Sequence, residues 1–261
     1  IELLLELADT ISATALCGLG KAAAYPVVST IKNFREEYEA HIIDKFCPAS
    51  VCAALVVAPC QNTCPAGIDV PLYIDAIKQG NYQESYDIVY RDNPLPATCG
   101  RVCPALCARR CRRGLLDDAI GIRELKRFAA DQVMAGDYKV IPPTKRKGKS
   151  VGIVGSGPAG LTCAYYLAQR GYDATIYEAL PVAGGMMAVG IPEFRLPKSL
   201  VQKEIDTVRK LGVEIKTNMV IGKVFTLDEL IEEGYEAIFI GSGAGLPSFM
   251  NIEGENLNGV Y

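Results

Sequence analysis

Eight of the ten cysteines in this 261-residue chain fall in two tight groups. Cys47, Cys52, Cys60 and Cys64 form the first, and Cys99, Cys103, Cys107 and Cys111 the second. That many thiolates suffice for two four-iron clusters, which carry electrons one at a time. A glycine-rich stretch follows, Gly155-Ser156-Gly157-Pro158-Ala159-Gly160. Its GxGxxG form is one that seats a dinucleotide pyrophosphate. A flavin dinucleotide held there would split a hydride pair into single electrons, so the two features together read as a redox relay.

The cysteines admit other chemistry. Disulfides need an oxidising compartment and usually a small loop-rich domain. Zinc is the stronger rival, because Cys₄ sites are common, but the paired C-x₂-C knuckles of structural zinc are absent. His41, the single histidine, reads as a solvated helix residue rather than a ligand. The second group recurs every four residues, which on a continuous helix lines one face with a drift of about 40° per step. Pro104 predicts instead that loops interleave. Cys60-Gln-Asn-Thr-Cys64-Pro65 has the C-x₃-C-P ending of a ferredoxin run without its complete spacing. Arg101, Arg109, Arg110, Arg112 and Arg113 surround the second group, either offsetting thiolate charge or simply solvated.

The glycine-rich loop lies where such a loop must. Residues 150–154 read as a buried strand, 158–170 as a helix ended by Gly171, and 174–178 as a second strand. Gly155 suits the tight turn, Gly157 the approach of backbone to a pyrophosphate, and Gly160 the contact of helix with strand. The helix start supplies N–H groups and positive dipole to phosphates. Glu178, ending the second strand, is expected to accept from ribose hydroxyls. Glycines alone leave FAD and NAD open, as well as a turn of this kind that has lost its ligand.

Other elements must position these groups. Residues 1–45 read as helices, with Leu3, Leu4, Leu7 and Ile11 on one face and a second helix over 29–42 capped by Ser29. Short helices are expected over 69–80, 81–91 and 120–135, then 198–211, and a strand over 236–240. The basic segment 142–149 reads as a solvated linker. A hydrophobic content of 49% with 22% charged residues is that of a globular chain. The net charge of −3 argues against a nucleic-acid role. No apolar run approaches the ~18 residues of a membrane span. No signal peptide is visible, so a cytoplasmic location is expected. The missing initiator methionine predicts a fragment, cut at both ends.

From about Cys52 to Tyr261 the chain resembles the NADPH-dependent glutamate synthase small-subunit family. That family includes the large subunit of NADH-dependent ferredoxin:NADP oxidoreductase and the N-terminal half of dihydropyrimidine dehydrogenase. The resemblance rests on Ala58-Pro-Cys-Gln-Asn-Thr-Cys-Pro65, Cys99-Gly-Arg-Val-Cys-Pro104, Ile122-Arg-Glu-Leu-Lys-Arg-Phe128 and the 155–160 loop. It continues through Gly184-Gly-Met-Met-Ala-Val-Gly-Ile-Pro-Glu-Phe-Arg-Leu-Pro197, Gly243-Ala-Gly-Leu-Pro247 and Gly254-Glu-Asn-Leu-Asn-Gly-Val-Tyr261. It implies FAD on the loop with Glu178 at its ribose, and Gly184, Gly185 and Arg195 within the flavin-binding set. It implies two [4Fe-4S] clusters, one matching Cys52, Cys60 and Cys111 and the other Cys64, Cys103 and Cys107. Leu55 stands where the first cluster's remaining cysteine is usual, which leaves Cys47 as substitute. Lys126 stands where the second often has glutamine or glutamate, which leaves Cys99, or less readily Glu124.

The N-terminal part is similar to the end of the NADH-binding flavoprotein subunit of complex I and related hydrogenases. Leu16-Cys-Gly-Leu-Gly-Lys-Ala22, Pro26-Val-Val-Ser-Thr-Ile31, Phe34-Arg-Glu-Glu-Tyr-Glu-Ala-His-Ile42 and Cys47-Pro-Ala-Ser-Val-Cys52 carry that similarity. There Cys17 matches the last ligand of a cluster; otherwise it and Cys163 read as small buried apolar cysteines.

Together these readings predict a multidomain chain. Residues 1–45 form a helical tail of a flavoprotein-like module and 46–140 an all-α domain with both clusters. After a linker at 141–149, residues 150–261 form a partial α/β Rossmann-like FAD-binding domain. The site for NADPH or NADH lies outside the chain. The implied activity is an oxidoreductase working with other redox subunits: ferredoxin-like, the glutamate synthase large subunit, or hydrogenase- or NADH-dehydrogenase-like. An electron-bifurcating complex is one setting. The alternative is a non-catalytic electron-relay or assembly subunit.

Overall fold

A computed structural model describes residues 1–44, 46–49, 52, 58–136, 138, 140, 142–143, 145–245 and 250–258. Leu55, Leu246, Pro247 and the last three residues of the Gly254 motif lie outside the described residues.

The first ten helices precede every strand. They are α1 (Glu2–Thr14), α2 (Gly18–Ala22), α3 (Tyr25–Asn33), α4 (Arg35–Ile42), α5 (Pro59–Thr63), α6 (Val70–Lys78), α7 (Tyr82–Asp92), α8 (Pro96–Val102), α9 (Leu106–Arg109) and α10 (Ile122–Met134). There follow β1 (Ser150–Val154), α11 (Pro158–Gln169), β2 (Asp173–Tyr177), α12 (Met186–Val189), α13 (Lys198–Lys210), β3 (Glu214–Lys216), α14 (Leu227–Glu232) and β4 (Ala237–Ile240).

The chain divides into two compact units that do not follow the expected segments. The first unit is Ile1–Pro71 with Ala105–Ile122. In it α1 packs on α2 and α3, and α5 packs on α9. The helix expected over 29–42 is two helices, because Phe34, at φ −132°, breaks the spiral between α3 and α4. Pro26 opens α3 in its first turn, so Ser29 lies inside the helix and its hydroxyl donates back to the Pro26 carbonyl. Ile31 is buried, while Phe34 and Ile42 stay exposed.

The second unit is Leu72–Pro104 with Arg123–Tyr261. Its parallel sheet has the order β3-β2-β1-β4, in register Ser150↔Asp173 and Val151↔Ala237. Parallel neighbours need crossovers, which α11 and the α13 region supply. Gly80 ends α6 with positive φ, and Pro96 opens α8, as their residue types favour.

Helices before residue 141 and the sheet after residue 149 contribute to one core cluster. Tyr86, Tyr90, Leu95, Ala97, Ala130 and Met134 share one core cluster with Ile153, Leu161, Tyr165 and Ile176. A tyrosine cluster makes that junction: Tyr90 lies 5.4 Å from Tyr86 and 5.0 Å from Tyr165, centroid to centroid. The basic segment is held too. Lys147 N–H donates to the Gly171 carbonyl, and Arg146 pairs with Asp173 and donates to the Leu211 carbonyl.

Truncation of Tyr90 to alanine removes the aromatic that joins α7 to α11. The expected loss is about 3–5 kcal/mol in chemical denaturation. A single transition, seen alike by helix and by sheet signals, is expected for the second unit.

Candidate functional site

The nucleotide loop is built from the ends of β1 and β2. Gly155 has φ +98°, and a β-carbon there would lie 2.5 Å from the Gly241 oxygen. At Gly160 a β-carbon would lie 1.9 Å from the Gly155 oxygen, so only glycine lets α11 start this close to β1. Gly157 faces open space, with nothing within 4 Å of a built β-carbon. It is the N-cap of α11, and no side chain caps that helix. Backbone N–H groups at such an end, beside an open approach, suit a phosphate.

Glu178 is buried and holds the loop in place. Its Oε2 accepts from the Ser156 N–H at 2.8 Å and from the Ser156 hydroxyl at 2.5 Å. Its Oε1 accepts from the Leu180 N–H at 2.8 Å. The Ser156 oxygen in turn accepts from the Gly184 N–H at 2.9 Å. Gly184 and Gly185, both at positive φ, therefore turn beside the loop. Arg195 lies exposed in the turn after α12, its N–H donating to the Pro192 carbonyl.

Six of the eight grouped cysteines belong to the first unit. The packing of α5 on α9 puts Cys60 and Cys64, at one helix and its end, beside the element of Cys107 and the following Cys111. Pro104 does interrupt the helix, and Ala105 takes a left-handed φ of 55°. Burial pushes the Cys60 thiol up, and the charge of Cys111 adds to this.

Cys47 and Cys52 sit in a different setting. Among the described residues, His41, Cys47 and Cys52 are the one group whose ligand atoms all lie within 4.8 Å of one another. A single tetrahedral ion with sulfur at about 2.3 Å separates its sulfurs by about 3.8 Å, so this spread is compact enough for one ion. His41 is thus not merely solvated. Its Nδ1–H donates to the Glu37 carbonyl at 2.6 Å, which leaves Nε2 directed at Cys52 Sγ, 3.3 Å away. The signal was present in the sequence as H-x₅-C-x₄-C. Cys17 is exposed rather than buried, and its sulfur accepts from the Gly20 N–H at the start of α2.

Cys99 and Cys103 belong to the second unit, within and just after α8. Burial pushes the Cys99 thiol up, while the Lys126 charge and a hydrogen bond to Asn93 oppose it. Lys126 is itself buried. Glu204 of α13, fully buried, accepts from the Ala97 N–H at 2.7 Å, the Thr98 N–H at 3.2 Å and the Thr98 hydroxyl at 2.5 Å. It thereby caps α8 from a distant helix. Its sequence signal is a charge amid the apolar stripe Val201, Ile205 and Val208.

Three family models match the chain in order. Residues 1–41 match the NADH-ubiquinone oxidoreductase-F iron-sulfur binding region. Residues 29–138 match dihydropyrimidine dehydrogenase domain II, 4Fe-4S cluster, and residues 153–195 match an NAD(P)-binding Rossmann-like domain. The fold and these matches give the chain an iron–sulfur domain followed by a Rossmann-like dinucleotide-binding segment, and its homologues are oxidoreductase subunits.

NADPH-Fe(3+) oxidoreductase subunit beta of Geobacter sulfurreducens is 44% identical over 256 residues, 96% of this chain and 38% of that protein. The NADP(+)-dependent formate dehydrogenase subunit beta of Moorella thermoacetica is 44% identical over 223 residues, 77% of this chain and 31% of that one. NAD-dependent dihydropyrimidine dehydrogenase subunit PreT of Escherichia coli O157:H7 is 41% identical over 207 residues, 77% of this chain and 50% of that subunit. The chain thus spans a third to a half of these relatives' lengths. No helix among the described residues is long and apolar enough to cross a membrane.

Burial raises the Glu204 carboxyl to about 7, against the pull of its Thr98 and Ala97 donors and of Arg101. The folded chain then binds this proton more tightly than the unfolded one, so the contribution of Glu204 to stability falls as pH rises from about 4.5 to about 7. Glu204→Gln is expected to flatten that slope, read as urea midpoints at about pH 5 and about pH 8.

Proposed function

We propose that the chain is the cluster- and flavin-bearing segment of an NAD(P)H oxidoreductase, serving electron exchange between a pyridine nucleotide, FAD and two [4Fe-4S] clusters. One observation carries this reading. The nucleotide loop and the helix that carries Cys99 and leads to Cys103 are built on a single hydrophobic core, which supports dinucleotide and thiolate chemistry within one folded unit.

FAD supplies hydride and single-electron chemistry when bound, and the clusters supply single-electron steps. The chain's own residues bind and orient. In this reading Gly155, Ser156, Gly157, Pro158, Ala159 and Gly160 back the pyrophosphate through backbone N–H groups. Glu178 Oε1 accepts from one donor here, which leaves it capacity for a ribose hydroxyl. Gly184, Gly185 and Arg195 complete the flavin side. Cys60, Cys64, Cys99, Cys103, Cys107 and Cys111 ligate iron, joined by Cys47 and Cys52. The buried position of Lys126 beside Cys99 supports Cys99 as the ligand that replaces it. No acid–base residue is assigned to catalysis.

The nicotinamide nucleotide binds outside this segment, as NADPH or NADH, and the partners are other redox subunits. The multisubunit relatives support this, and the cytoplasm is the proposed location. The His41 geometry favours a second reading for two of the thiols. In it His41, Cys47 and Cys52 hold a mononuclear ion, zinc by donor type, leaving a fourth position.

Anaerobic purification of the chain with metal, sulfide and flavin assays tests both. About eight irons, eight sulfides and one FAD per chain are expected, with EPR signals on reduction. Zinc throughout, or no flavin, would sink the relay. About one zinc per chain that disappears in His41→Ala, with iron unchanged, establishes the second reading.

A further inference from the structure

The cap on α8 comes from outside the cysteine segment, and it is unusual in its burial. Glu204 has no exposed surface, and its two oxygens take the Ala97 N–H, the Thr98 N–H and the Thr98 hydroxyl. These N–H groups belong to the first turn of α8, where no intrahelical partner exists. Thr98 immediately precedes Cys99, and the Cys103 N–H donates to the Cys99 carbonyl at the other end. The carboxylate therefore fixes the helix that presents both thiols.

Two further contacts fix the helix's roll. A β-carbon on Gly100 would lie 2.8 Å from the Arg127 Cα, so α8 presses directly on α10. Arg101, its side chain 7% exposed, pairs with Asp131 of α10 at 2.7 Å and donates to the Ala97 carbonyl. The hydrogen-bond partners of Glu204 are all neutral donors, and the Arg101 charge acts on it without a hydrogen bond, its own ion pair being with Asp131. A carboxylate in this dry setting projects its field with little screening, and at Cys99 it opposes the stronger pull of the buried Lys126 charge.

We infer that Glu204 is a positioning residue for the Cys99 and Cys103 thiolates, and that its buried charge lowers the reduction potential of the cluster they help to hold. The inference rests on the reading of these two cysteines as iron ligands. A negative charge near a cluster disfavours the added electron, and partners beyond the direct ligands commonly tune metal centres in this way. Glutamine at 204 keeps the shape and an acceptor for the N–H groups but removes the charge. Alanine removes both.

The test uses the full chain, purified without oxygen, as wild type, Glu204→Gln and Glu204→Ala. Iron and sulfide content, EPR of the reduced protein and potentiometric titration are read at about pH 8.5, where the carboxyl is ionised. In Glu204→Gln, iron content equal to wild type and a midpoint shifted to more positive potential for one cluster are expected. In Glu204→Ala, loss of one cluster's iron and EPR signal is expected. An unshifted midpoint in Glu204→Gln would overturn the electrostatic role. Full iron with an unchanged spectrum in Glu204→Ala would overturn the positioning role. Should the alanine variant fail to fold, the glutamine variant decides alone. Wild type without iron refutes the ligand reading itself, and that outcome is distinct from a loaded wild type with unmoved variants.

Discussion

The carbonyl oxygen of Gly155 occupies the space that a β-carbon on residue 160 would need. That close approach is the constraint on which the second unit depends. It seats the start of α11 against the end of β1, so the helix's leading N–H groups open over Gly157. Gly155 is pinned on its other side by Gly241, at the end of the neighbouring β4. Glu178 then closes the arrangement by binding Ser156, which in turn holds Gly184. Three separate segments thus converge on one turn.

The thiols are arranged on a different principle. Short helices separated by proline and a left-handed turn carry six of them, with Cys60, Cys64, Cys103, Cys107 and Cys111 at or near a helix end and Cys99 within α8. Short elements have little stability of their own and rely on tertiary contacts. Here those contacts are the pairing of α5 with α9 in one unit and the carboxylate cap on α8 in the other. Charge is distributed accordingly. Arg109, Arg110, Arg112 and Arg113 stay exposed around Cys111, while Lys126 is buried near Cys99.

What was legible in the sequence was what local physics decides. The strand at 150–154, the helix after the glycine loop with Gly171 beyond its end, and the helix at 198–210 follow from periodicity and backbone demands. The break at Pro104 followed from a missing N–H. What was hidden depended on distance. Phe34 divides a helix without any proline or glycine to announce it. β3 is three residues long and exists through its pairing with β2. The partnership of His41 with Cys52 crosses eleven positions, and that of Glu204 with Thr98 crosses 106. The segment 142–149 has a linker's composition, yet its backbone and Arg146 bind the Rossmann half.

That last long separation bears on how the protein is made. A ribosome adding roughly 5–20 residues per second reaches Glu204 some ~5–20 s after Thr98 has been synthesised. During that interval α8 has neither its cap nor the sheet whose core it will share. Cys99 and Cys103 are therefore presented to metal ions and oxidants alike on an unfinished chain. Order of synthesis, and not only final geometry, then governs which meets these thiols first.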